Sequence, residues 1–226
     1  MIIEGPLINA TFIERPNRFI TIIEINGELH RSHLPDPGRL KELLTPNAKL
    51  LVRPAPEASD RKTSFSTVMV EHKGQLISLV STLPNKFIDH ALKNNKIPIL
   101  RPFTFIRSEI TVKNHRFDFL LNDNKANKFY LEVKSVTLVE NGIAKFPDAI
   151  TRRGMNHAKA LMNLVSKGFQ AGILFVCQRP DATSFCPMWD RDPKFAMALS
   201  DAYKAGVKVW CITLNISKTE ISFKQQ

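Results

Sequence analysis

Asp118 on one alternating segment, with Glu132 and Lys134 on the next, are the residues of this chain best suited to chemistry. Two carboxylates can hold a hard divalent cation through oxygen, and an ammonium beside them can orient or deprotonate a water while neutralising a phosphate. That is the chemistry of metal-dependent phosphodiester cleavage. The spacing supports it, because residues i and i+2 of a strand share a face, so Glu132 and Lys134 project together with Val133 opposed. The run Phe129-Tyr130-Leu131-Glu132-Val133-Lys134-Ser135-Val136 is rich in β-branched and aromatic residues, which favours a strand over a helix. In Arg116-Phe117-Asp118-Phe119-Leu120-Leu121, alternation predicts both phenylalanines on one face and Asp118 on the other, in water or in a polar cleft. An acid-x-lysine pair on an amphipathic strand also occurs as a solvated pair worth only about 0.2–1 kcal/mol, so the neighbouring elements decide between the two readings.

The segment from Thr151 to about Lys167 reads as a helix, with Asp148 or Thr151 able to cap its start and Gly168 ending it. At about 100° per residue, Ala158, Leu161, Met162 and Val165 form an apolar face that Ala160 and Leu164 extend. Arg152, Asn156, Lys159, Asn163 and Lys167 lie outside it, whereas Arg153 and His157 fall on the Ala160/Leu164 side. A buried unpaired arginine is costly, so Arg153 implies an anionic partner or an opening onto a cleft. The alternative pairs Arg153 with Asp148 or Glu132 and gives His157 an internal hydrogen bond. The free amides of the helix start favour phosphate as well.

Taken with Ser108-Glu109, Phe146-Pro147-Asp148-Ala149 and Arg153-Gly154, these segments resemble the sugar fermentation stimulation protein family, SfsA, over nearly the whole chain. The resemblance implies an N-terminal oligonucleotide/oligosaccharide-binding (OB) barrel joined to a C-terminal domain similar to PD-(D/E)xK nucleases, with DNA binding and a role in sugar metabolism genes. By that likeness Asp118, Glu132 and Lys134 take the places of the superfamily's aspartate, second acid and lysine, and Glu109 resembles an additional acidic position. In His33-Leu34-Pro35-Asp36-Pro37-Gly38-Arg39-Leu40 the chain has Asp36-Pro37 where other members carry Asn-Thr.

The elements that must position these groups suggest two domains, residues 1–83 and 84–226, of combined α+β and α/β class. Strands are expected at Leu7 to Glu14, Arg18 to Ile25 and Glu28 to His33, the last two joined by the hairpin signal Asn26-Gly27. A short helix is expected at Arg39 to Leu44, then strands at Lys49 to Arg53, Ser64 to Glu71 and Gln75 to Ser81, a small-barrel pattern. Pro54 to Lys62 reads as a loop, its prolines blocking regular pairing. Phe12, Phe19 and Phe65 are aromatics that such a barrel could offer to bases. A helix from Pro84 to about Asn94 leads to strands at Phe103 to Val112, Arg116 to Leu121 and Lys128 to Val136. After the Arg153/His157 helix come a strand at Ala171 to Cys177, a helix at Lys194 to Ala205 and a strand at Val207 to Leu214.

With 32 Lys and Arg against 21 Asp and Glu, the net charge of +11 makes a polyanion the natural partner. DNA is expected, RNA stays open, and the absence of a helix-turn-helix signature favours backbone contacts over base reading. Arg39, Lys41, Arg152, Arg153 and His157 are the expected nucleic-acid contacts, and Asp118, Glu132 and Glu109 the expected ligands of Mg²⁺ or Mn²⁺. No run reaches the roughly 18 apolar residues of a membrane span and the start lacks a secretion signal, so a cytoplasmic, non-membrane protein is expected. Cys177, Cys186 and Cys211 are too scattered for a metal or disulfide framework. Two readings follow: a metal-dependent nuclease, or a non-catalytic DNA-binding regulator of sugar metabolism genes.

Overall fold

Type I′ hairpin chemistry builds the first half of the molecule. In the computed structural model, which describes residues 1–56 and 61–224, β1 (Ile8–Asn17) is followed by β2 (Ile20–Ile25) and β3 (Glu28–His33). The β2–β3 turn puts Asn26 at φ 53° and Gly27 at φ 84°, the two left-handed residues such a turn requires. β4 (Lys49–Pro54), β5 (Phe65–His72) and β6 (Gln75–Ser78) complete a sheet of order β3-β2-β1-β4-β5-β6. Parallel pairing of Ser32 with Phe65 and His33 with Ser66 joins β3 to β5 and closes a five-stranded barrel. Register shifts after Phe12 in β1 and Leu51 in β4 supply the curvature. Ile23, Leu34, Leu50, Val52, Val70 and Ile77 fill the interior. The buried Thr67 hydroxyl meets those of Thr21 at 2.9 Å and Ser32 at 2.8 Å, so the strands that close the barrel are also joined by satisfied polar groups.

The helix expected at Arg39 to Leu44 does not form. Leu40 takes a left-handed φ of 52° to plug the barrel, and only one turn follows, its Leu44 N–H donating to the Leu40 carbonyl at 2.8 Å. A single turn is too short to propagate as a helix. Of the loop expected over residues 54–62, positions 57–60 lie outside the described residues.

The second half begins with α1 (Leu83–Lys93) and a single 3₁₀ turn at Pro98–Leu100, then runs through β7 (Thr104–Val112), β8 (His115–Asn122) and β9 (Lys128–Val136). β10 (Val139–Glu140) and β11 (Ile143–Phe146) precede α2 (Arg152–Val165), β12 (Gln170–Cys177) and β13 (Ser184–Pro187). α3 (Pro193–Lys204), β14 (Lys208–Ile216) and β15 (Ile221–Phe223) end the domain. The main sheet has the order β15-β14-β12-β9-β8-β7, with β9, β12 and β14 parallel and the outer pairs antiparallel. Leu161 of α2 and Leu199 of α3 pack with Tyr130 and Phe175 on one face, while Phe87 and Ile88 of α1 pack with Leu131 and Leu174 on the other. Covered on both sides, β9 and β12 are nearly continuously apolar, and Glu132 is therefore an exception that needs a partner. Beta strands 10, 11 and 13 form a separate three-stranded sheet that the sequence pattern did not suggest.

Both domains are tied together around Asp148. Its Oδ2 accepts the Leu40 N–H of the barrel at 2.9 Å, and its Oδ1 pairs with Arg191 at 3.2 Å. Gly38 lies inside this junction, where an added Cβ would sit 2.9 Å from Asp36 Oδ1 and 3.1 Å from Asp148 Oδ2. The first residues of the chain add to the far edge of the second sheet, Ile3 N–H donating to the Thr219 carbonyl at 2.8 Å.

Candidate active site

The pairing of β8 with β9 runs from Asn122 opposite Lys128 to Phe119 opposite Leu131, and Asp118 takes over where that ladder ends. Its Oδ2 accepts the Val133 N–H at 2.7 Å, and its Oδ1 accepts the Asn85 amide of α1 at 2.6 Å. Using the side chain in place of a ladder bond releases β8 from strict alternation. Phe117 packs with the α2/α3 core and Phe119 with the α1 core, which corrects the expectation that both share one face. Asn85 carries no motif, and no sequence signal marked it.

Glu132 follows on β9 and is 3% exposed. Lys134 Nζ donates to its Oε1, as the two-residue spacing predicts, and His157 Nδ1 lies 2.5 Å from the same oxygen. An ionised carboxylate can only accept, so the imidazole N–H is the donor. Glu132 Oε2 is buried with no hydrogen-bond partner among the described residues. Burial alone would raise the Glu132 carboxyl, but the His157 hydrogen bond and the Lys134 charge outweigh it and hold the group below its ordinary value. Asp118 goes the other way. Burial, and then the neighbouring Glu132 charge, push it from 3.8 up to about 6 against its hydrogen bonds and Lys134.

Around this centre the other expected residues separate into two groups. Thr151 caps α2, its Oγ1 accepting the Gly154 N–H at 3.0 Å, so of the two possible caps Asp148 is left free to hold the barrel. Arg152 and Arg153 are both exposed at the start of α2. Arg153 reaches water, which fits the opening that its inward place on the helical wheel implied, because a long side chain in the first turn can extend past the packed face. His157 is buried at 5% exposure and belongs to the carboxylate cluster, not to the outer surface with the two arginines. Arg39 and Lys41 are exposed on the barrel side of the domain junction. Phe12 is a core residue of the barrel, Phe65 lies edge-on to His30, and Phe19 is 48% exposed.

Glu109 sits at the exposed edge, in a left-handed conformation at φ 54°, with its carboxylate 3.8 Å from Arg116. Among the described residues no three His, Cys, Asp or Glu side chains are gathered to hold a metal ion. The donor set of Asp118 and Glu132 nevertheless fits a hard divalent cation. It is all oxygen, and the buried Oε2 is an acceptor left without a donor.

A cavity of about 330 Å³ runs between the domains, lined by Arg18 and Asp36–Gly38 from the barrel and by Ser135, Lys145 and Thr151 from the second domain. No helix among the described residues is long and apolar enough to cross a membrane.

Comparison with known proteins agrees with this two-part architecture. A family profile described as the SfsA N-terminal OB domain matches residues 13–79, and one described as the sugar fermentation stimulation protein RE domain matches residues 82–220. The chain is 41% identical to a sugar fermentation stimulation protein homolog of Clostridium botulinum, covering 100% of this chain and 97% of that one. It is 43% identical to the homolog of Acetivibrio thermocellus, covering 92% and 88% respectively. A solved structure of Pyrococcus furiosus SfsA in complex with Ca²⁺ superimposes with a TM-score of 0.88 at 28% identity, covering 99% of this chain and 95% of that one.

Proposed function

This chain belongs to the sugar fermentation stimulation protein family, with an N-terminal OB domain and the family's C-terminal RE domain, and we propose that it binds DNA largely without sequence specificity and, as a PD-(D/E)xK-like nuclease, cleaves it at a divalent-metal site. The observation that carries the proposal is the unpartnered, buried Oε2 of Glu132, next to an Asp118 whose carboxyl is pushed up by burial and then by the Glu132 charge. An unsatisfied carboxylate oxygen in a closed site costs free energy that a cation would recover. The Pyrococcus furiosus relative is described in complex with Ca²⁺, which supports a divalent cation as the group held here.

Asp118 and Glu132 would hold Mg²⁺ or Mn²⁺, with the Val133 carbonyl beside them, and Glu109 would join on leaving Arg116. Bound there, such an ion would supply charge compensation for a phosphoryl oxygen and would make a water more acidic. Lys134, with 13% of its side chain exposed, places its ammonium at the rim of the carboxylates, where it orients the attacking water and neutralises a non-bridging oxygen. Water adds to phosphorus, one P–O ester bond breaks, and the leaving oxygen takes up a proton. Arg39 and Lys41 on the barrel side and Arg152 and Arg153 on the α2 side would grip backbone phosphates across the cleft, giving affinity that falls steeply with salt.

A second reading is a DNA-binding regulator without turnover, favoured by the absence of a third acidic or histidine ligand beside Asp118 and Glu132 among the described residues. The test is incubation of labelled duplex DNA, single-stranded DNA and single-stranded RNA with the protein across divalent ions, beside Glu132→Ala and Lys134→Ala. Metal-dependent products with the parent chain and none with the variants are expected. Salt-sensitive gel shifts with no product under any ion would leave only the regulator.

A further inference from the structure

We infer that His157 is a positioning residue for the metal site, which fixes the Glu132 carboxylate so that Oε1 is saturated and Oε2 is kept for the ion. The inference rests on the metal-site reading above and assigns to His157 a role other than phosphate contact.

A carboxylate offers about four acceptor directions on two oxygens, and a purely structural ion pair would distribute its donors over both. Here the two donors crowd onto one. Lys134 and His157 both meet Oε1, and Oε2 has no partner while equally buried. A fold that only needed to neutralise Glu132 would not leave that oxygen empty, since a buried acceptor without a donor keeps its full desolvation penalty. The arrangement makes sense if one oxygen anchors the carboxylate and the other is reserved. Lys134 alone is a poor anchor, because its four-carbon stem is flexible and its head is one of the groups the reaction would use.

The imidazole is held on several sides. Its ring stands edge-on to His115 at 5.9 Å and to Phe117 at 5.7 Å between centroids, both from β8, the strand that carries Asp118. Its helix is fixed at the start by the Asp192 carboxylate, which accepts the Thr151 N–H at 2.8 Å while capping α3 through the Phe195 N–H at 3.0 Å. Docking of α2 on α3 therefore sets where His157 stands, and His157 sets which way Glu132 faces. Asp118 differs, because its donors are spread over both oxygens, the Asn85 amide on one and the Val133 N–H on the other, so Glu132 Oε2 is the unpartnered buried acceptor of the pair. Removing such an outer partner characteristically weakens metal binding by about 10–100-fold without removing a ligand.

Mn²⁺ titration by calorimetry on the full chain tests this with His157→Leu, which removes the donor, and His157→Asn, whose side-chain amide places a donor the same number of bonds from Cα as Nδ1. The expected result is about 10–100-fold weaker Mn²⁺ binding for His157→Leu and recovery to within about threefold of the parent for His157→Asn. DNA affinity in EDTA should be unchanged in both. Parent-like Mn²⁺ binding by His157→Leu would overturn the inference, as would loss of DNA affinity in EDTA by a folded variant, since that marks a phosphate contact. Should His157→Leu not fold, His157→Asn decides alone, and a loss as deep as that of Glu132→Gln counts against the inference. A parent chain that binds no Mn²⁺ removes the metal-site reading itself, a result distinct from the others.

Discussion

Asp118→Asn should make the metal-free protein more stable at neutral pH while abolishing its response to metal. The folded carboxyl titrates at about 6 against an ordinary value of 3.8. A folded value raised above the unfolded one means that the stabilising contribution is complete below pH 3.8 and is lost as pH rises through 6. At about 1.4 kcal/mol per tenfold change in the proton equilibrium, the ionised group costs about 3 kcal/mol at pH 7.5 and about half of that at pH 5. Asparagine keeps the Val133 N–H bond through its own Oδ1, and its amide can donate to Asn85 once the latter turns over. The neutral side chain therefore avoids most of this cost, and after allowance for burying an amide the net gain is about 1–3 kcal/mol. The assay is urea unfolding in EDTA followed by tryptophan fluorescence, since Trp189 and Trp210 are the chain's two tryptophans and both lie in the second domain. Saturation with Mn²⁺ at about 100 times its Kd should then add about 2.7 kcal/mol to the parent and nothing to the variant. A variant no more stable than the parent in EDTA at pH 7.5, or a difference that does not shrink towards pH 5, would refute the reasoning.

Further outcomes follow from the same geometry. Arg152→Ala combined with Arg153→Ala should weaken binding to DNA of any sequence and lower the slope of log affinity against log salt by about 2, measured by fluorescence anisotropy from 50 to 200 mM salt. Asp148→Ala removes the acceptor of the Leu40 N–H and the partner of Arg191; it should cost about 1–3 kcal/mol and split one calorimetric unfolding transition into two as the barrel separates from its neighbour. Gly38→Ala should act in the same direction, because its methyl group would displace the Asp36 and Asp148 carboxylates, and limited proteolysis between the domains reads out the loosening.

What could be read from the chain was whatever depends on short-range period. Glu132 and Lys134 share a face because the strand period is two, and Asn26-Gly27 makes its turn because both positions need positive φ. His157 was half legible: the helical wheel put a polar residue on the Ala160/Leu164 side, but its partner lies 25 residues earlier on another element. The same wheel left open whether Arg153 meets an anion or an opening, because angular position says nothing of how far a long side chain can extend from a helix end, and the side chain is exposed. Asn85 was invisible, since it meets Asp118 only through the packing of α1 on the sheet. Strand β10, of two residues, is too short for alternation to be recognised, and β13, of four, is at the lower limit. Asp148 looked like a helix cap by spacing, yet the barrel competes for it across 108 residues of sequence.

The proposed cleavage requires one ion between Asp118 and Glu132, and anomalous scattering from a crystal of the parent protein grown with Mn²⁺ observes that ion directly. A single peak at coordination distance, about 2.0–2.6 Å, from Glu132 Oε2 and an Asp118 oxygen is the predicted result. A well-ordered site with no peak at saturating Mn²⁺, or with Mn²⁺ bound only at other residues, would contradict it.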